Sequence, residues 1–246
     1  NAACVGKEII ESLSDIIVES AIASEFRYRK HNFPKLDTAV FAVSQSGETA
    51  DTLESVKEAK RKGYKTFGIV NGVGSAIAEE TDAGIYTRAG LEIGVASTKA
   101  FTSQLATIYL LALKLARERG MSVQKGKEYI TELERLPELL KKTLELSTEP
   151  TKEIARLYGG IKTINFLGRG IHFPVSAEAA LKFKELTYIE AGSYPLGELK
   201  HGPMAVIDKE SLSVVLSPKD ELFDISKNSI EQIKSKGGKI LLITSE

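Results

Sequence analysis

Residues 39–49 read Ala39-Val40-Phe41-Ala42-Val43-Ser44-Gln45-Ser46-Gly47-Glu48-Thr49. An apolar run feeds a short turn of hydroxyls and one glycine, and a helical pattern follows from about Thr49 to Lys62. A buried strand, a tight turn and a helix N-terminus in that order predict the opening of a parallel α/β unit. The same turn is a ready anion site, because free N–H groups and the positive end of the helix dipole both point into it. Ser44, Ser46 and Thr49 add hydroxyl donors, Gln45 adds an amide, and Gly47 lets the backbone approach a ligand closely. The turn carries no lysine and lacks the spacing of a nucleotide P-loop, so a small phosphate ester suits it better than a triphosphate. On these residues alone, simple capping of the helix by Ser or Thr is an equally good account.

Outward from this stretch, strand-like runs alternate with helical ones. Expected strands are Ile16–Ser20, Ala39–Val43, Lys65–Val70 and Ala83–Tyr86, then Thr163–Leu167, Leu212–Leu216 and Lys239–Ile243. Between the halves lies a helical region from about Ser97 to Tyr158. Its first helix carries Leu105, Ile108, Leu111 or Ala112, and Leu115 at helical spacing and stops near Gly120. A second helix is expected over roughly Val123–Leu133 and a third from Pro137. The chain also echoes itself. Thr38–Asn71 and Leu212–Glu246 both read strand, loop, helix, Lys-Gly, strand, and Val56 and Ala59 correspond to Ile230 and Ile233. The loops differ: the second copy has Ser217-Pro218-Lys219-Asp220-Glu221, in which two acids repel an anion and Pro218 removes a donor. Anion binding therefore belongs to the first half.

The 246 residues are 42% hydrophobic and 27% charged, enough for a real core in one large or two small domains. Thirty-three basic residues balance thirty-three acidic ones, which argues against a bulk electrostatic binder of nucleic acid or membrane. The basic cluster Arg27-Tyr28-Arg29-Lys30 reads as a solvated face. The single cysteine, Cys4, excludes an internal disulfide and a cysteine zinc site, and fits a reducing, cytoplasmic setting. No apolar run approaches membrane-spanning length. Both ends read as cut, so a fragment is expected.

Three further stretches carry chemistry. Phe173–Ile189 is a helical pattern on which Glu178, Lys182 and Glu185 share one face, with Val175, Ala179, Phe183 and Leu186 expected to face the core. On spacing alone the polar face is a surface ion-pair stripe. Its flanks point elsewhere, because Gly168-Arg169-Gly170 sets the helix N-terminus at the carboxyl ends of the strands, where open α/β sheets bind ligands. Gly197-Glu198-Leu199-Lys200-His201-Gly202-Pro203 is a loop dense in titratable groups, and His201 can shuttle a proton near neutrality. His31 and His172 are weaker candidates. In Leu91–Phe101, Ser97 or Thr98 is expected to cap the helix that follows. Lys99 there has the wrong sign for the helix dipole, which signals either a functional reason or a side chain that reaches to solvent.

Four of these stretches, 44–52, 92–101, the Glu178/Lys182/Glu185 helix and 197–203, occur in this order in one family. The chain resembles, over nearly its whole length, the isomerase half of the glutamine–fructose-6-phosphate aminotransferases, the glucosamine-6-phosphate synthases. The resemblance implies two flavodoxin-like SIS subdomains, expected at 1–120 and 151–246 with a helical connection at 121–150. It implies conversion of fructose 6-phosphate and ammonia to glucosamine 6-phosphate, with ammonia supplied by an N-terminal glutaminase domain. It further implies no metal or organic cofactor, and a homodimer in which His201 serves the partner's site. Ser44, Gln45, Ser46 and Thr49 match the family's phosphate cradle, and Val95 and Ser97 match positions beside the sugar. Glu185 matches the base moving a proton between C1 and C2, Lys182 and Glu178 its charged neighbours, and His201 the residue assisting ring opening.

Two family features have no match here. One is a Cys-Gly-Thr-Ser stretch before the first helix, to which Cys4 does not correspond. The other is a C-terminal tail bearing an imine-forming lysine, the chain ending about a hundred residues short of a usual two-subdomain length. As written, the chain is expected to bind substrate poorly and not to complete amination. A non-catalytic sugar-phosphate sensor, or a related phosphosugar deaminase or deglycase, is the alternative. The sensor needs the serine loop but not the Glu178/Lys182/Glu185 face with His201, and Thr98-Lys99-Ala100-Phe101 favours the synthase over the deaminase.

Overall fold

The computed structural model describes residues 1–30 and 33–245; His31 lies outside the described residues. The chain divides into two compact units, Ala2–Gly120 and Met121–Glu246, the second taking in Asn1.

The first unit holds a parallel sheet of β1 (Ala39–Ser44), β2 (Lys65–Val70) and β3 (Ala83–Tyr86), in that spatial order. Its helices are α1 (Ala2–Leu13), α2 (Ala23–Phe26), α3 (Ala50–Arg61), α4 (Ala76–Glu80) and α5 (Lys99–Glu118). Strand alternation sorts the core onto two faces. Ala42 and Val70 pack with Val56 of α3 and Ile77 of α4. Val43 and Ile69, one residue out of phase, pack with Ala2 of α1 and Ile108 of α5. Both faces of the sheet are therefore covered by helices, as a parallel sheet requires.

The second unit begins with α6 (Val123–Tyr158), whose N-cap Ser122 accepts from Lys125 N at 3.1 Å. Then come β4 (Thr163–Gly168), α7 (His172–Thr187), β5 (Glu190–Pro195), two short 3-10 turns at Leu196–Glu198 and Pro203–Val206, β6 (Leu212–Leu216), α8 (Phe223–Ser235) and β7 (Lys239–Ile243). The strands are parallel in the order β5-β4-β6-β7. Counted from β4, that is 2-1-3-4, the beginning of the flavodoxin-type order, with its switch point between β4 and β6.

The internal echo is physical. Val56 and Ala59 on α3, and Ile230 and Ile233 on α8, are all buried. Both helices end in the same way: Gly63 and Gly237 adopt φ of 86° and 79°. The following N–H reaches back to the last turn, Tyr64 N to Ala59 O at 3.0 Å and Gly238 N to Ile233 O at 3.1 Å. This left-handed C-cap satisfies carbonyls that would otherwise be orphaned, and explains the repeated Lys-Gly.

Several sequence expectations need correction. Ile16–Ser20 forms no regular element and pairs with no strand among the described residues, and Ile17 is 94% exposed. An alternating pattern without a partner edge makes no sheet. The strand Glu190–Pro195 was not anticipated; its Gly192 and Pro195 read as breakers, yet an edge strand tolerates proline where no ladder donor is needed. The two helices expected from 123 and 137 are one, with Pro137 and Pro150 inside it. Each proline deletes one helical bond, and the exposed surroundings let water satisfy the freed carbonyls. Finally, α7 ends at Thr187 rather than Ile189, because Tyr188 turns left-handed at φ 59°.

Candidate functional site

In the first unit, β1 delivers Ser44 to its carboxyl end and α3 begins at Ala50, so residues 44–49 form the turn between them. Ser44 is buried, and its Oγ accepts from Gly47 N at 3.1 Å and lies 3.4 Å from Thr49 Oγ1. Ser46 Oγ, on the exposed side, accepts from Glu48 N at 3.1 Å. The loop is anchored to β2 through Asn71 N donating to Gln45 O at 3.1 Å. Gly47 has φ of 74°, and a Cβ there would collide with Ser75 Oγ, so only glycine fits.

Two features prepare this turn for an anion. Thr49 is the N-cap of α3 but its side chain makes no capping bond. The first-turn N–H groups of α3, which have no intrahelical acceptors, therefore still point into the loop. Capping, the competing account of these hydroxyls, is not what Thr49 does. Second, the one acid in the loop is turned aside. Glu48 Oε1 accepts from Ala76 N at 2.9 Å, and Ile77 N donates to Gly47 O at 2.9 Å. The loop thus caps α4 and keeps α3 free.

Val95 and Ser97 lie in the 91–98 connection; Val95 is 86% exposed and Ser97 half-buried. Neither Ser97 nor Thr98 caps α5. Glu92 does: its Oε1 accepts from Thr98 N at 2.7 Å and from Ala100 N at 3.4 Å, while its Oε2 accepts from Ser97 Oγ at 2.8 Å. Burial works against the charge on Glu92, but the Thr98 N–H, the Ser97 hydroxyl, the Ala100 N–H and the Lys99 ammonium together hold its carboxyl below the usual range. Lys99 Nζ donates to Leu91 O at 2.7 Å. The cation of unexpected sign is thus the counter-charge of a capping glutamate and a tie across the loop.

In the second unit, α7 carries the three charged residues. Lys182 Nζ donates to Glu185 Oε2 at 2.7 Å and lies 3.7 Å from Glu178 Oε1. The side chains of Glu178, Lys182 and Glu185 are only 14%, 19% and 29% exposed, whereas Leu186, expected in the core, is 63% exposed. A plain surface stripe would have the opposite pattern. The core face of α7 holds Ala179 and Phe183 of the expected stripe, joined by Ser176 and Ala180; Ser176 is fully buried and bonds to Ser193 Oγ of β5 at 2.9 Å.

The loop after β5 is fixed from below. Leu196 and Leu199 are fully buried, each contributing about 2 kcal/mol of apolar burial, and they leave Glu198, Lys200 and His201 exposed. His201 N donates to Glu198 O at 2.9 Å, and Met204 N donates to Leu199 O at 2.8 Å. At the β4/β6 switch point, His172 Nε2 lies 2.9 Å from Asp220 Oδ2, whose other oxygen accepts from Leu222 N at 2.9 Å. The hydrogen bond from His172 holds the Asp220 carboxyl below its usual range. The acid expected to repel an anion thus occupies this mouth. Among the described residues no group of three or more His, Cys, Asp or Glu could hold a metal ion, and no helix is long and apolar enough to cross a membrane.

Glu92 escaped the sequence reading because it caps a helix from across a loop, outside the S-x-x-E spacing that betrays a capping box.

The sequence profile of the SIS domain matches residues 1–114 and 160–246. The glutamine–fructose-6-phosphate aminotransferase [isomerizing] of Caldanaerobacter subterraneus is 42% identical, over all of this chain and 40% of its own length. That of Haemophilus influenzae is also 42% identical with the same coverage. The chain thus spans about 40% of the length of these curated relatives. Among solved structures, the C-terminal domain of glucosamine-fructose-6-phosphate aminotransferase from Francisella tularensis superposes with a TM-score of 0.96 at 39% identity, over 99% of this chain and 68% of that one. A glucosamine-6-phosphate deaminase from Thermotoga maritima, TM-score 0.81 at 22% identity over the whole of this chain and 72% of its own, shares the fold. The chain belongs to the SIS domain family and, within it, to the isomerase half of the glutamine–fructose-6-phosphate aminotransferases.

Proposed function

We propose that this chain is the isomerising and aminating part of an enzyme that makes glucosamine 6-phosphate from fructose 6-phosphate and glutamine-derived ammonia. The observation that carries this is Lys182 held between Glu178 and Glu185 on a half-buried helix face. A sugar-phosphate sensor needs the serine turn but has no use for a sheltered base. The substrate's phosphate binds the Ser44–Thr49 turn through the Ser44, Ser46 and Thr49 hydroxyls, the Gln45 amide and the α3 N–H groups. It supplies remote binding energy that positions the sugar carbons. Val95 and Ser97 lie beside the sugar.

Glu185 takes a proton from C1, adjacent to the C2 carbonyl or imine, and returns it to C2. Lys182 stabilises the negative charge that develops on the way, and Glu178 holds Lys182 in place. His201 assists ring opening, acting in the site of a partner protomer within a homodimer. Residues 1–120 and 151–246 serve as the two SIS subdomains, with 121–150 as a helical connection. The enzyme works in the cytoplasm beside a glutaminase domain, without metal or organic cofactor, nucleic acid or membrane.

The test is formation of glucosamine 6-phosphate by the full-length protein from fructose 6-phosphate with either glutamine or ammonium. Product from both nitrogen sources is the expected result. Binding of the sugar phosphate with no product from either source would make it a sensor.

A further inference from the structure

Ser97 Oγ donates to Glu92 Oε2 at 2.8 Å, and an ionised carboxylate can only accept. The same carboxylate receives Thr98 N and Ala100 N, so it is fixed to the first turn of α5 and cannot swing away without leaving both donors bare. Lys99 Nζ, bonded to Leu91 O, staples the start of the loop to the same turn. The single hydroxyl proton of Ser97 is therefore committed inward, and only oxygen lone pairs remain for anything approaching from the loop's open side.

We propose that Glu92 is a positioning residue that makes Ser97 an obligate hydrogen-bond acceptor, so that the ligand group meeting Ser97 must be a donor, a sugar hydroxyl. This rests on the reading that a hexose phosphate sits beside Ser97. The arrangement selects a hydroxyl over a carbonyl or phosphate oxygen at that place. It also orients the sugar without any charge at the contact. Replacing the carboxylate by an amide removes the constraint, because the amide N–H can donate to Ser97 and release its proton toward the ligand.

The experiment measures dissociation constants by calorimetry on the full-length protein. Ligands are fructose 6-phosphate and its monofluoro analogues with fluorine in place of the hydroxyl at C1, C3 or C4. Fluorine keeps the size of a hydroxyl but cannot donate. In the unmodified protein one analogue is expected to bind about tenfold more weakly than the parent sugar. In Ser97→Ala that discrimination falls to within about twofold, and in Glu92→Gln to within about threefold. Adding Glu92→Gln to Ser97→Ala changes affinity by less than about twofold, since a residue acting through Ser97 has nothing left to act on.

Unchanged discrimination in Ser97→Ala, or equal losses from Glu92→Gln in both backgrounds, would overturn the proposal. The Ser97→Ala arm decides the matter even where Glu92→Gln fails to fold, because that hydroxyl supports no backbone group. Ser46→Ala separates the underlying reading: if it weakens every ligand alike while Ser97→Ala alters nothing, phosphate binding stands and only this inference falls.

Discussion

The Glu185 carboxylate accepts a hydrogen bond from Lys182 Nζ at 2.7 Å, from three positions earlier on the same helix. A lysine at that distance holds the carboxylate in one orientation, which a general base requires. Glu178, one turn further back, faces the same ammonium from 3.7 Å. Glu185→Gln in the full-length protein should reduce transfer of the C1 proton by about a hundredfold or more, with fructose 6-phosphate affinity nearly unchanged. Exchange of deuterium from solvent into C1 is the assay. Wild-type exchange in the variant would remove Glu185 from the role of base.

Ser46 stands on the exposed side of the β1–α3 turn, where its Oγ also takes the Glu48 N–H. A hydroxyl donating to a phosphate dianion forms a charge-assisted bond. Ser46→Ala should therefore weaken fructose 6-phosphate about tenfold or more and should weaken inorganic phosphate in parallel. Calorimetry with both ligands checks it. A loss for the sugar phosphate alone would place Ser46 against the sugar instead.

His201 is exposed on a loop whose buried anchors are Leu196 and Leu199. If His201 serves a partner's site, variants in His201 and Glu185 complement each other. Mixing His201→Asn and Glu185→Gln protomers should restore about a quarter of full activity, because half of the dimers are then mixed and each holds one intact site. Two inactive pools that stay inactive after exchange would put His201 and Glu185 in the same protomer's site.

How much of this was legible beforehand differs by element. The β1 turn and α3 were, because alternation, a glycine at positive φ and a Lys-Gly stop are local signals that agree with one another. Residue types and spacing also placed Glu178, Lys182 and Glu185 on one face. The apolar stripe of α7 was right at Ala179 and Phe183, which pack on the core, but not at Leu186, which satisfies helical periodicity yet lies exposed while Ser176 and Ala180 are buried. Periodicity reports that a face exists; tertiary packing decides which small residues fill it. The strand Glu190–Pro195 was invisible because Glu-Ala-Gly-Ser-Tyr-Pro has no strand propensity of its own and is ordered by its pairing with β4. Glu92 was overlooked because capping from a loop leaves no fixed spacing to find.

Gly47 offers a structural test of the anion turn. Its φ of 74° costs a residue with a Cβ about 1–2 kcal/mol, and that Cβ would also meet Ser75 Oγ. Gly47→Ala should lower stability by roughly 2 kcal/mol and weaken phosphate binding, because the chain must retreat from both constraints. Adding Ser75→Gly removes the collision but leaves the backbone strain, so stability should recover only in part. Chemical denaturation of the parent protein and the two variants checks this. Full recovery in the double variant would mean that the collision, not the dihedral, makes glycine necessary.

Glu92 also sets a pH dependence in the first unit. Its carboxyl is held below the ordinary glutamate range in the folded chain: burial opposes ionisation, and the Thr98 N–H, Ser97 hydroxyl, Ala100 N–H and Lys99 charge outweigh it. A depressed folded pKa means that the unfolded chain binds the proton more readily. The stabilisation is therefore complete above the unfolded pKa and is lost as pH falls through the lower, folded value. Glu92→Gln carries no titratable group there and can still accept one N–H. The melting temperatures of the two proteins should differ most near neutrality and converge as pH drops below about 4. A constant difference from pH 7 to pH 3 would show that the amide fails through shape alone, and that the charge on Glu92 contributes nothing to holding the first turn of α5.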